Sequence, residues 1–147
     1  MADELDVMAT FIVDRLKASG AITAIVGSGS AARIYQDVAP QGAAFPYIVF
    51  SSLAPNDVSA IGAIRIATRD QWLVKAVVQS SSFGGSLTTL ADAINTQLHG
   101  DDGTSGTASG GNVVHSYRMR PFRLSEVTSG VAYRWKGGIF NIMAQVT

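Results

Sequence analysis

The stretch Arg33 to Phe50, RIYQDVAPQGAAFPYIVF, decides how the chain folds. It holds two runs with β character, Arg33-Ile34-Tyr35 and Tyr47-Ile48-Val49-Phe50, on either side of a connector of small residues, proline and glycine. Pro40 and Pro46 disfavour the helical region at Ala39 and Phe45, so the connector is not a helix. Proline is best tolerated at the first residue of a strand, where no interior ladder bond is lost, which starts the second strand at about Tyr47. Two short strands this close together read as a hairpin.

Working outward, the residues before this stretch predict helix. Leu5, Met8, Ile12 and Leu16 share one face with Ala9 beside them, and Asp3 is placed to cap the N-terminus. Ser19-Gly20 is expected to stop the helix with a left-handed glycine cap, and Ala21 to Val26 to resume as a short helical turn. The Gly27-Ser28-Gly29-Ser30 run lacks the Lys-Ser/Thr ending of a phosphate loop and reads as a turn. After Phe50, the segment Ala54 to Ala63, broken by Pro55, Asn56-Asp57 and Gly62, reads as a loop or strand extension. Ile64 to Val78 predicts a long strand with Trp72, Val74, Ala76 and Val78 on one face and Leu73, Lys75 and Val77 on the other. Apolar character on both faces fits a central strand, or one whose second face meets another subunit. Arg65, Arg69 and Asp70 are read as its solvated end.

A second amphipathic helix is expected from Ser86 to His99, closed by Gly100, with Leu87, Leu90, Ala91, Ile94 and Leu98 forming its apolar stripe. Gly100 to Asn112 holds no large apolar side chain and reads as a flexible loop of unusual length. Asp101-Asp102-Gly103 lacks the later acidic ligands of a calcium loop. Two strands follow. The first alternates Val113, His115, Tyr117 and Met119 against Val114, Ser116, Arg118 and Arg120 and is expected to end at Pro121. The second, Val131 to Val146, contains Gly137-Gly138, read as a bulge or bend where two backbones approach closely.

Composition bounds the function. The 147 residues fit one domain, 1-147, with a real core. The 15% charged content is low against about 25% for soluble proteins, which suggests surface buried against partners. There is no cysteine, so no thiolate metal site or cysteine nucleophile exists. The acidic N-terminus and the lack of a long apolar run point away from export and the membrane. Net charge is zero but uneven: residues 1–14 carry Asp3, Glu4, Asp6 and Asp14 without a base, and residues 113–147 carry Arg118, Arg120, Arg123, Arg134 and Lys136 against Glu126 alone. This asymmetry reads as helix-dipole acids and solvated strands, or as complementarity between subunits or contact with DNA.

No catalytic constellation emerges, since His99 and His115 are isolated and no GxSxG, HExxH or CxxC occurs. Arg33, Tyr35 and Asp37 share a strand face by alternation, but equally read as ordinary edge residues. Neither a cofactor nor a metal is implied.

Arg33-Ile34-Tyr35, then Ala39-Pro40 with Gly42, then Pro46-Tyr47-Ile48-Val49, resembles the tail terminator or tail completion proteins of long-tailed bacteriophages. The surrounding order of helix, long strand, helix ending at Leu98-His99-Gly100 and late strand pair extends the resemblance over most of the chain. Pro55 to Ile64 and the glycine-rich stretch after His99 depart from it. The residue pattern predicts an α+β domain, an antiparallel sheet of four or five strands with two amphipathic helices on one face. The resemblance implies a structural virion protein, not an enzyme, assembled in the host cytoplasm. It forms a homo-oligomeric, hexameric ring that caps the head-proximal end of the tail tube, stops its polymerisation and joins the tail to a neck protein. Genome DNA passes through the lumen without specific binding. Interface residues are expected among Arg65, Arg69, Asp101, Asp102, Arg118, Arg120 and Arg123, and Gly100 to Asn112 as an assembly arm. The rival readings are another head–tail connector, an adaptor or stopper, and, further off, a small enzyme or ligand-binding domain.

Overall fold

The first helix, α1 (Glu4–Lys17), is capped by Asp3, whose Oδ1 accepts from the Asp6 N–H at 2.9 Å, and it buries Val7, Met8, Phe11, Ile12 and Leu16. It does not end on a left-handed glycine. Ala18 closes it in a right-handed conformation, Ser19 caps the next helix through its hydroxyl, and Gly20 is the first residue of α2 (Gly20–Val26). A serine positioned to cap a new helix overrides the stop that Gly20 suggested. A 3-10 turn at Gly29–Ala31 then leads to β1 (Ile34–Gln36). The remaining elements are β2 (Tyr47–Ser52), β3 (Asn56–Ser59), β4 (Arg65–Gln79), α3 (Gly84–Leu98), β5 (Thr107–Ala108), β6 (Gly111–Thr128) and β7 (Val131–Val146). This computed structural model describes residues 3–62, 64–79, 84–100, 107–108 and 111–146. Asp101 and Asp102, and most of the expected 100–112 arm, lie outside the described residues; within that stretch Thr107–Ala108 is strand and Gly111 opens β6.

The strands form one sheet in the order β1-β2-β4-β7-β6-β5, with β3 also paired to β4. The expected α+β sheet is present, mostly antiparallel, with seven strands in place of the four or five anticipated, the short β3 and β5 among them. β1 and β2 are not a hairpin. They run parallel, Ile34 opposite Ile48 and Gln36 opposite Phe50, because the connector 37–46 carries the chain back to the start of the sheet before β2 begins. Asp37 makes the first turn with φ of 64°, and the Phe45–Pro46 bond is cis. Arg33 anchors the return, donating to the Pro46 carbonyl at 3.0 Å and the Ile25 carbonyl at 2.6 Å.

All three helices cover one face of the sheet. Trp72, Val74, Ala76 and Val78 of β4 join Ile48, Phe50, Phe140, Ile142, Ala144 and the apolar residues of α1, α2 and α3 in one core. Trp72 is at its centre, its ring 5.9 Å from Phe50 and its indole N–H 3.2 Å from the Met8 sulfur. β4 is the central strand that its two-sided apolar pattern implied, flanked by β2 and β3 on one side and β7 on the other. On the second face Val49, Val77 and Ile139 are also buried, and Val77 lies between Tyr47 and Trp135 across the ladder.

β6 does not end at Pro121. It runs 18 residues, with Pro121 opposite Gly138; among the described residues no strand pairs its other edge there, so a missing N–H costs no ladder bond. The glycines of β7 mark a close approach, as expected, but not a bulge: a Cβ on Gly137 meets the Val74 carbonyl oxygen at 2.0 Å, while the β4–β7 register runs through unbroken. The bulges are on β6, between Val113 and His115 and between Arg118 and Arg120. Each bulge moves the following side chains to the other face. Val113 therefore points into the core and His115 away from it, which strict alternation did not foresee. β6 and β7 join through Ser129-Gly130, both at positive φ, as a two-residue turn that follows the strand twist requires.

Candidate functional site

Among the described residues, the expected interface candidates Arg65, Arg69, Arg118, Arg120 and Arg123 do not fall into one patch. Arg65, at the start of β4, is tied down by Glu4 at 3.2 Å and lies 3.9 Å from Asp57. Asp70 is not a solvated end: it is fully buried and accepts from the Ser52 hydroxyl and the Ala54 N–H. Arg69 lines a cleft of about 530 Å³ with Asn56, Gln71, Tyr117, Met119 and Asn141. Nearby, the His115 ring lies 5.4 Å from that of Tyr117, tilted by 39°. Burial, and then the Arg69 cation, lower the His115 pKa below the ordinary imidazole value. Arg33, Tyr35 and Asp37 form no site, since the Arg33 guanidinium is engaged by two carbonyls and Asp37 lies beyond the strand.

The bulge at Met119 separates the last three arginines. Arg118 is opposite Phe140 and Arg123 opposite Lys136, on the helix-covered side, whereas Arg120 is opposite Ile139 on the second side. Arg134 and Lys136 share the side of Arg123, and the three line a small cleft against Leu87 and Thr88 of α3. The described part of β6 beyond Asn112 has a ladder partner only in β7. The result is an open strand edge carrying cations, with Val127 exposed near its end. The reverse is found at the opposite edge of the sheet. A groove of about 220 Å³ runs between α1 and β1–β2, lined by Ala9, Thr10, Val13, Asp14, Gln36 and Phe50, and Asp6 and Asp14 are exposed along the same helix.

The second face has its own polar and aromatic character. Phe45, Tyr35 and Tyr133 surround Tyr47, with Phe45 5.0 Å and Tyr35 5.8 Å from it. Burial, then the neighbouring Tyr133 and Tyr35, raise the Tyr47 pKa, and burial lowers that of Lys75, whose ammonium lies 5.2 Å from the Trp135 ring. His99 follows α3, and its Nδ1 accepts the Arg118 N–H at 2.9 Å, tying the helix end to β6.

One feature escaped the sequence reading. The β3–β4 hairpin carries Ile61, fully exposed, with Ile64 at 65% and Ile66 at 49% exposure. Pro55, Asn56-Asp57 and Gly62 mark the segment as a loop, and β3 forms there by pairing Asn56–Ser59 with β4. Isoleucines inside such a polar, turn-forming segment were the available signal. Three exposed isoleucines on one protrusion form the kind of apolar patch that marks a protein contact.

Among the described residues no three His, Cys, Asp or Glu side chains come together to hold a metal ion, and no helix is long and apolar enough to cross a membrane. The family model of the tail completion protein gp17 matches residues 10–144. A chain from the virion of the native gene transfer agent (GTA) particle has the same fold, with a TM-score of 0.60 and 19% identity over 91% of each chain. No curated protein matches.

Proposed function

Since the chain belongs to the family of the tail completion protein gp17 and is thus a tail-associated structural protein of a virion, we propose that it acts as a ring capping the head-proximal end of the tail tube. In this reading several copies, six by the expected symmetry, close a ring through a head-to-tail contact, and the ring ends tube growth because it offers no further copy of the polymerising surface. The observation that carries it is the isoleucine protrusion: Ile61, Ile64 and Ile66 present apolar surface that a free monomer leaves in water. We assign this protrusion to the axial contact with the tube or the neck protein. The chain then works by binding and carries out no chemistry. DNA passes through the lumen unbound, since each phosphate contact adds a counterion-release term that slows sliding, and the zero net charge agrees.

Negative-stain microscopy of the purified protein is expected to show rings with a central hole. A monomer at all concentrations refutes the ring. In complementation, Ile61→Ser should leave rings intact and yield tailless or unjoined particles; normal infectious particles remove the protrusion from the axial contact.

A further inference from the structure

We propose that the two edges of the sheet are the two halves of one subunit contact, the β6–β7 hairpin of one copy docking into the α1–β1–β2 groove of the next. The inference rests on the ring reading and names the contact that closes it.

The sheet order places the two surfaces at opposite edges of the domain, β1 at one and β6 with β5 at the other. Opposite placement is what a head-to-tail contact needs, since each subunit must use a different surface toward each neighbour. The groove has an apolar floor of Ala9, Val13 and Phe50 and an acidic rim at Asp14, with Asp6 two turns up the helix. The hairpin supplies the complement. Val127, 72% exposed, lies on the same side as Arg123 and Arg134, through its pairing with Ala132 and that of Ser125 with Arg134.

Charge disfavours the symmetric alternatives. Among the described residues Asp6 and Asp14 make no ion pair with a cation of their own copy, and Arg123 and Arg134 make none with an acid. Hairpin against hairpin sets Arg123 and Arg134 against their own copies, and groove against groove sets Asp14 against Asp14 with Lys17 one turn beyond it, so the mixed contact is the more favourable. Strand-to-strand joining along β6 is hindered as well, because Pro121 and the arginines blunt that edge. The hairpin therefore docks through side chains, its valine in the groove and its arginines on the acidic rim.

The absence of cysteine makes disulfide trapping clean. Thr10→Cys, on the groove, and Val127→Cys, on the hairpin, are co-expressed and oxidised. The mixture is expected to give a covalent dimer, each variant alone none, and the double variant a ladder ending in a closed ring. Charge reversal supplies the second readout: Arg123→Glu with Arg134→Glu should weaken association at least tenfold, and Asp6→Lys with Asp14→Lys in the same chain should restore it. If the wild type is oligomeric but the mixed cysteines stay uncoupled, or either variant couples to itself equally well, the contact is overturned while the ring stands. A wild type that sediments as a monomer overturns both.

Discussion

Replacing Gly137 by alanine tests the central feature of the sheet. The added Cβ would sit 2.0 Å from the Val74 carbonyl oxygen and 2.7 Å from the Lys75 Cα. Both are backbone atoms of the neighbouring strand, so no rotamer change relieves the clash, and β4 and β7 must separate by more than 1 Å to reach ordinary contact. That separation weakens the ladder around Lys75–Gly137 and Val74–Gly138. Two hydrogen bonds at about 1 kcal/mol each, together with overpacking strain of about 1–3 kcal/mol, give an expected loss of about 3–5 kcal/mol. For a domain of this length that lowers Tm by roughly 6–20 °C at about 2–4 °C per kcal/mol. Gly138→Ala is the control: its Cβ meets the Arg118 side chain at 3.0 Å and the Phe140 ring at 3.1 Å. The arginine is free to swing aside, so the loss should stay near 1 kcal/mol, the lower end for overpacking. Urea unfolding of the two variants measures the difference. Equal stabilities, or Gly137→Ala within about 0.5 kcal/mol of wild type, would refute the close approach of β4 and β7.

Trp72→Ala removes the largest buried side chain and should cost about 3–5 kcal/mol, giving poorly soluble or unfolded protein; an unchanged melting temperature means the strand faces are misassigned. His115 gives a pH dependence. Its folded pKa is depressed by burial and by Arg69, so the unfolded chain takes up the proton first, and stability is full above about pH 6.5 and falls as pH drops below it until the folded group titrates. His115→Asn should flatten that part of the stability–pH curve, and an unchanged slope assigns the effect elsewhere.

The α+β class, the helices with their buried faces, the central place of β4 and the start of β2 at Tyr47 were legible in the sequence, because each rests on local periodicity or on a proline that constrains its neighbours. The glycine pair at 137–138 was legible as a close approach for the same reason, since glycine alone leaves room for another backbone. The parallel pairing of β1 and β2 was not, because strand direction depends on where a ten-residue connector returns the chain in space. Nor were the β6 bulges: one extra residue at Val114 and at Met119 changes which partner each side chain faces, and no residue type announces it. The interface candidates suffered most from this. Arg118 and Arg120 read as neighbours on one face and lie on opposite ones, while Arg134 and Lys136 join Arg123 only through cross-strand register. The chain itself determined that acids gather at one end and cations at the other; that they stand at opposite edges of one sheet was decided by the tertiary structure, because strand order is set by packing over long sequence separations and not by local preference.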